Sequence, residues 1–250
     1  MPIIVITGAA SGLGQAFLQA YLLDSCNTIL AADREPIPLP TLSGEHAVVH
    51  RKTLDITSES MLLKWSEELE CRQDKSIDLV IHCVGIRGLV PQVEMKHLED
   101  VAACESMEVM DSKTMRRAFE INALGAFNLM KTLLPYLRPA AKQDLTRKPK
   151  VIVMSSRMGS IAANTGGSAY AYRASKAALN AIIKSFSIDV PEIVWVLVHP
   201  GRVETKLVKW REEGAISAEE SIQDMMKLIS QFGKGNSGKF YDRFGNEIPW

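Results

Sequence analysis

Neither sign of charge is in excess in this 250-residue chain. Its 29 Lys and Arg balance 29 Asp and Glu, for a formal net charge of +0. A general nucleic-acid binder needs a basic surplus to neutralise phosphates and is not expected. A disordered acidic chain is excluded as well, since 46 % of residues are apolar and 23 % charged, ordinary values for a globular protein. Long apolar runs are also lacking: none approaches the roughly 18 residues that span a bilayer. Met1-Pro2 leads straight into an apolar run, without the basic stretch or cleavage site of a secretory leader. A cytoplasmic protein with no membrane association is the expectation. Cysteine is sparse. Cys26, Cys71, Cys83 and Cys104 show no CxxC and no histidine at ligand spacing, so neither a disulfide framework nor a metal site is expected, and the four read as buried reduced thiols.

What the chain does have is alternation. Nearly continuous apolar runs at Ile3–Thr7, Thr28–Ala32, Leu79–Cys83, Lys150–Met154 and Val194–His199 read as strands buried on both faces. A weaker run at Ala47–His50 and a late one at Gly238–Tyr241 bring the count to seven. Helices are predicted over Leu13–Ser25, Ser58–Cys71, Lys113–Tyr136, Ser175–Asp189 and Ala218–Gln231. This order implies a doubly wound α/β fold with a mostly parallel sheet between two helical layers. No repeat or Gly/Ser linker divides residues 1–250, so one domain is expected. Glu35–Gly44, with three prolines, and the basic, proline-punctuated Arg138–Pro149 read as surface insertions or linkers. Arg87–Asp111 follows no clean period; it reads as a peripheral loop or as a cover for a site.

Two segments carry chemistry. The first predicted strand runs into Thr7-Gly8-Ala9-Ala10-Ser11-Gly12-Leu13-Gly14 and then a helix. Glycine permits the sharp turn and the close backbone approach, and the helix N-terminus offers N–H donors to a pyrophosphate. Asp33 follows Gly14 by nineteen residues, near the spacing of a carboxylate that binds an adenine ribose. It favours NAD(H). Arg34 beside it would instead clamp a 2′-phosphate, which leaves NADP(H) open, and the two side chains would equally well pair with each other.

The second segment holds Ser155-Ser156 at a strand end, followed by Tyr170-Ala171-Tyr172-Arg173-Ala174-Ser175-Lys176. On a helix, Tyr172 and Lys176 share one face. An ammonium beside a phenol favours the phenolate, which suits proton exchange with a carbonyl or alcohol oxygen. A serine hydroxyl holds the same oxygen. Ser155 is the neighbour of Ser156 and a rival to it; Tyr170 lacks a lysine four residues on.

With these motifs in this order, the chain resembles the short-chain dehydrogenase/reductase family, and within it the C-factor and sniffer-type carbonyl reductases. The resemblance implies a Rossmann-type fold and NAD(P)-dependent hydride transfer between a carbonyl and an alcohol, with a small-molecule substrate. It implies a catalytic set of Asn122, Ser156, Tyr172 and Lys176, in which Asn122 positions a water linked to Lys176. It further implies cofactor contacts from Gly8, Ser11, Gly12, Leu13, Gly14, Asp33, Arg34, Asp55, Ile56, Gly85, Asn122, Tyr172, Lys176, Pro200, Gly201, Val203 and Thr205. A substrate lid is implied over Lys206–Ser217, with Leu207, Val208 and Trp210 as apolar candidates and Met95, Met107 and Met110 opposite. A homodimer or homotetramer through the two long helices is implied too. One departure matters: His82-Cys83-Val84-Gly85 stands where the family has Asn-Asn-Ala-Gly, and His82 reads as a bonded core histidine. Two other readings are weighed against this one. A nucleotide-binding regulator without turnover draws on that departure, and a methyltransferase would share the glycine turn but have no use for Tyr172 and Lys176.

Overall fold

The computed structural model describes residues 1–41, 44–73, 75–96, 100–143, 148–208 and 213–250. In chain order the elements are β1 (Ile3–Thr7), α1 (Gly12–Leu22), β2 (Thr28–Asp33), β3 (Val48–Thr53), α2 (Glu59–Glu70) and β4 (Leu79–His82). The short α3 (Pro91–Glu94) and α4 (Val101–Glu105) follow, then α5 (Ser112–Phe119), α6 (Ala126–Gln143), β5 (Lys150–Met154) and α7 (Tyr170–Asp189). The chain continues through β6 (Val194–His199), α8 (Ala218–Gln231) and β7 (Lys239–Asp242). The strands form one sheet in the order β3-β2-β1-β4-β5-β6-β7, with every pair parallel.

Successive strand residues point to opposite faces, so both faces need cover. Ile3 and Val5 join Trp65 of α2, Leu133 of α6 and Leu179 of α7 in one core; Ile4 and Ile6 join Phe17 of α1 and Met225 of α8 in the other. This is the predicted doubly wound α/β sandwich, a Rossmann-type fold. The strand order reverses between β1 and β4, and the crevice at such a reversal, at the carboxyl ends of the strands, is where these folds bind ligands.

Three local differences from the sequence reading have physical causes. The helix predicted from Ser175 begins at Tyr170, launched by Ser168 and Ala169 in left-handed conformations (φ +54° and +51°). Half of the Arg138–Pro149 stretch is helix, because α6 continues through Pro135 and Pro139 to Gln143. Leu133, Tyr136, Leu137 and Ala140 are buried along it, and the Tyr136 hydroxyl donates to the Ser66 carbonyl at 2.6 Å; this packing outweighs the hydrogen bonds lost at the prolines. All four cysteines are free thiols, but only Cys104 is buried and Cys83 half-buried. Cys26, in the turn after α1, and Cys71, at the end of α2, are exposed.

Between α5 and α6 the helix widens into a π-turn over Glu120–Gly125, an irregularity frequent at functional sites. Beyond β7 the chain doubles back. Ile248 donates its N–H to the Phe240 carbonyl at 2.7 Å, Pro249 accepts from the Ser160 hydroxyl, and Trp250 accepts from Ala162 N–H at 2.9 Å. The tail thereby straps the loop that joins β5 to α7. Among the described residues no helix is long and apolar enough to cross a membrane, and no His/Cys/Asp/Glu group could hold a metal ion.

Candidate active site

A cleft of about 880 Å³ crosses the carboxyl ends of the central strands. Its floor begins where β1 ends. The chain turns through Gly8 at φ +73°, where a Cβ would stand 3.0 Å from the Cys83 carbonyl carbon; a Cβ on Gly14 would overlap the Gly8 carbonyl oxygen. Glycine at both positions therefore lets α1 start hard against the strand ends. Gly8, Ser11, Gly12 and Leu13 line the cleft, while Gly14 only seats the helix. Ser11 precedes α1 without a side-chain capping bond.

At one end of the cleft Asp33 is held rigidly. Its carboxylate accepts from Ala10 N–H at 2.9 Å and from Glu35 N–H at 3.0 Å. Arg34 lies 3.5 Å from Glu35 at the surface and, among the described residues, pairs with it and not with Asp33. Asp55 accepts from the Thr57 hydroxyl at 2.7 Å and the Thr57 N–H at 2.9 Å, bonds that hold its carboxyl below the usual range. Arg34, Asp55 and Ile56 line the cleft beside Asp33.

At the other end stand Ser156, Tyr172 and Lys176. Tyr172 is 6 % exposed and Lys176 4 %. The Lys176 ammonium donates to the Met154 carbonyl at 2.9 Å and lies 5.9 Å from the Tyr172 ring centre. Burial pulls its pKa down to about 8. The two serines divide their work: Ser155 donates its hydroxyl to Asn180 Oδ1 at 2.6 Å, whereas Ser156 Oγ accepts from Met158 N–H at 3.2 Å. Tyr170 is 41 % exposed and outside the cleft lining.

Asn122, in the π-turn, is fully buried and does not line the cleft. Its amide brackets the loop after β4: Oδ1 accepts from Ile86 N–H at 2.8 Å, and Nδ2 donates to the Ile86 carbonyl and the Ser175 hydroxyl, both at 2.9 Å. That loop carries Gly85 so close that a Cβ there would be 3.3 Å from both Asn122 Oδ1 and Lys176 Nζ. His82, where the family has asparagine, bonds through Nδ1 to Thr7 Oγ1 at 2.8 Å, across the β1–β4 ladder. Its Nε2 is buried without a partner, and burial lowers its pKa to about 3, so it is a neutral brace.

Pro200, Gly201, Val203 and Thr205 complete the cleft, and Ser221 of α8 ties the turn down by donating to the Pro200 carbonyl at 2.7 Å. Of the lid candidates, Leu207 lines the cleft and Trp210 lies outside the described residues. Met95 and Met107 are 67 % and 70 % exposed and are absent from its lining.

Residues 2–215 match the family model described as short chain dehydrogenase. The chain belongs to the short-chain dehydrogenase family of oxidoreductases. C-signal of Myxococcus xanthus is 39 % identical to this short-chain dehydrogenase over 176 residues, 70 % of this chain and 93 % of that protein. Among solved structures, the carbonyl reductase Sniffer of D. melanogaster superposes with a TM-score of 0.81 at 25 % identity, covering 100 % of both chains. The NADPH-bound carbonyl reductase from chicken fatty liver gives a TM-score of 0.81 at 24 % identity over 100 % of this chain and 94 % of that one, a likeness of fold.

Within this short-chain dehydrogenase, two residues of the site escaped the sequence reading. Arg87 lies with its guanidinium carbon 4.9 Å from the Tyr172 ring centre, and it is paired with Glu105 of α4. Both come from the Arg87–Asp111 stretch, where eighteen residues separate them and no short-range pattern links them. His199, at the end of β6, also lines the cleft; burial lowers its pKa to about 4, and its Nδ1 is unpartnered. Its place directly before Pro200-Gly201 was the available signal.

Proposed function

We propose that this short-chain dehydrogenase acts as one domain that interconverts a carbonyl and an alcohol, with a nicotinamide dinucleotide as cofactor and Tyr172 as acid and base. The observation that carries the reading is the meeting of Tyr172, Lys176 and Ser156 at one end of a cleft whose other end is built from a glycine turn, Asp33 and Asp55. The residues fit a dinucleotide. Gly8 and Gly85 line the cleft with no side chain to obstruct it, and the start of α1 offers N–H donors and a positive dipole end to a pyrophosphate. Gly8, Ser11, Gly12 and Leu13 would hold the pyrophosphate, Asp33 or Arg34 the adenine ribose, and Asp55 and Ile56 the adenine. Pro200, Gly201, Val203 and Thr205 would hold the carboxamide end, near Gly85. When bound, the nicotinamide supplies or accepts the hydride.

The chain's own groups handle the oxygen and its proton. In reduction Ser156 would hold the carbonyl oxygen and Tyr172 would deliver the proton to it. Lys176 would bind the nicotinamide ribose and favour the phenolate. Asn122 acts at one remove: its side chain is committed to Ile86 and Ser175, so it positions the loop bearing Gly85. The carboxylate of Asp33 would meet a 2′-phosphate with like charge, which supports NAD(H), while exposed Arg34 would serve NADP(H). Leu207 supports an apolar surface for the small-molecule substrate, and the exposed apolar side chains of α5–α7 support a homodimer or homotetramer.

The test is a panel of ketones and alcohols assayed with both cofactors, on the native chain and on Tyr172→Phe. The variant should lose at least about 100-fold in kcat and bind NADH within a few-fold of native. Unchanged turnover would end the mechanism, and tighter NADPH than NADH would give the cofactor pocket to Arg34. Silence of the native chain across the panel, with tight cofactor binding, would favour the regulator.

A further inference from the structure

Arg87 and Glu105 form the most enclosed ion pair among the described residues, with side chains 13 % and 8 % exposed. It is a two-point contact: Arg87 Nε donates to Glu105 Oε2 at 2.7 Å and Nη2 to Oε1 at 2.8 Å. The guanidinium so fixed lies over the Tyr172 ring, in the range of an attractive cation–π contact. Glu105 also holds the backbone leading to Tyr172. Its main-chain carbonyl accepts from Ala169 N–H at 3.0 Å and from the Ser168 hydroxyl at 3.1 Å, the two left-handed residues that launch α7. One glutamate thus anchors a cation over the ring and the chain three residues before it.

We propose that Arg87 is a positioning residue for the acid–base tyrosine. Clamped by Glu105, its guanidinium fixes the Tyr172 ring and favours the phenolate, so that the Arg87–Glu105 pair and Lys176 together set the proton affinity of Tyr172. This rests on the reading of Tyr172 as acid and base. Among the described residues, the charged groups around the ring include Arg87 from the loop after β4, Glu105 behind it on α4, and Lys176 on α7 itself. His82 and Cys83, from the end of β4, are kept uncharged by burial at neutral pH. A bare apolar clamp would hold the ring without affecting its proton. A guanidinium near the phenol does both, and Glu105, farther off, offsets the charge only in part.

The experiment follows the proton directly. In protein carrying ¹³C at tyrosine Cζ, the Tyr172 resonance is identified by its loss in Tyr172→Phe and titrated with pH. Arg87→Met should raise the Tyr172 pKa by about one, the lower end of the effect of a neighbouring opposite charge. Glu105→Gln, which keeps the main-chain contacts and removes the carboxylate charge beside the guanidinium, should lower it. Arg87→Lys should restore the native titration and not the native kcat, because an ammonium cannot make the two-point contact. In the assay, the basic limb of kcat/KM for reduction should move with the resonance. If these variants lose activity and melting temperature while the Tyr172 resonance titrates as in native protein, the pair is merely structural and the proposal is overturned. Should Arg87→Met fail to fold, Glu105→Gln and Arg87→Lys carry the same comparison. Because the resonance is read without turnover, a native chain inactive on every carbonyl would sink the assigned activity and leave the Arg87 result standing by itself.

Discussion

The side chains of this site differ mainly in what burial does to their charge. Lys176, pulled down to about 8 by burial, still lies high enough to be mostly charged at neutral pH, whereas His82 is held neutral in both cores' shared sheet. The consequence for stability has a definite sign. The folded-state pKa of His82 is depressed to about 3 from 6.5, so the native imidazole stays neutral while the unfolded chain takes up a proton below pH 6.5. Its contribution is intact above pH 6.5 and is lost as pH falls from there toward 3, by about 1.4 kcal/mol per pH unit. His82→Asn removes that proton. Urea unfolding at pH 7 and pH 5 should show the variant losing about 2 kcal/mol less than native protein between the two values. Equal losses would mean that the unpartnered Nε2 is hydrated and titrates normally. His199, depressed to about 4, adds a slope of the same sign that both proteins share.

Elements meet unusually closely behind the site. The 3₁₀ turn Arg157–Gly159, just past Ser156, crosses α7 so tightly that a Cβ on Gly159 would stand 2.8 Å from Lys176 Cβ and 2.9 Å from its carbonyl carbon. Gly159→Ala must push the turn and the helix apart. It should cost about 1–3 kcal/mol in urea unfolding, the usual range for overpacking, and lower kcat by at least about tenfold as Ser156 and Lys176 separate. Native-like values for both would show that the turn yields freely. The same scale explains what was legible beforehand. Strands such as Ile3–Thr7 and Val194–His199 were readable because burial on both faces demands unbroken apolar runs. The Tyr172–Lys176 pair was readable because both residues sit one turn apart on one helix. The π-turn around Asn122 was not, since no residue type marks where a helix takes an extra residue per turn. Nor was the Arg87–Glu105 pair, whose partners are joined by tertiary folding alone.

At the scale of the molecule, two features reach beyond the cleft. Met115, Phe119, Leu124 and Phe127 leave an apolar row exposed from α5 through the π-turn into α6, and Tyr170 and Ile188 do so on α7. Phe127→Asp should shift sedimentation from dimer or tetramer toward monomer, and a native chain that already sediments as a monomer would remove that assembly. The second feature is the strap of Ile248, Pro249 and Trp250 across the β5–α7 loop. Ser160 and Pro249 are 89 residues apart, so this contact closes a long loop and cannot form early in folding. The sheet must extend to β7 before the tail can reach back and fix the segment that follows Ser156. Refolding should therefore recover helical circular dichroism first and catalytic turnover afterwards, with the lag set by docking of the chain's last strand.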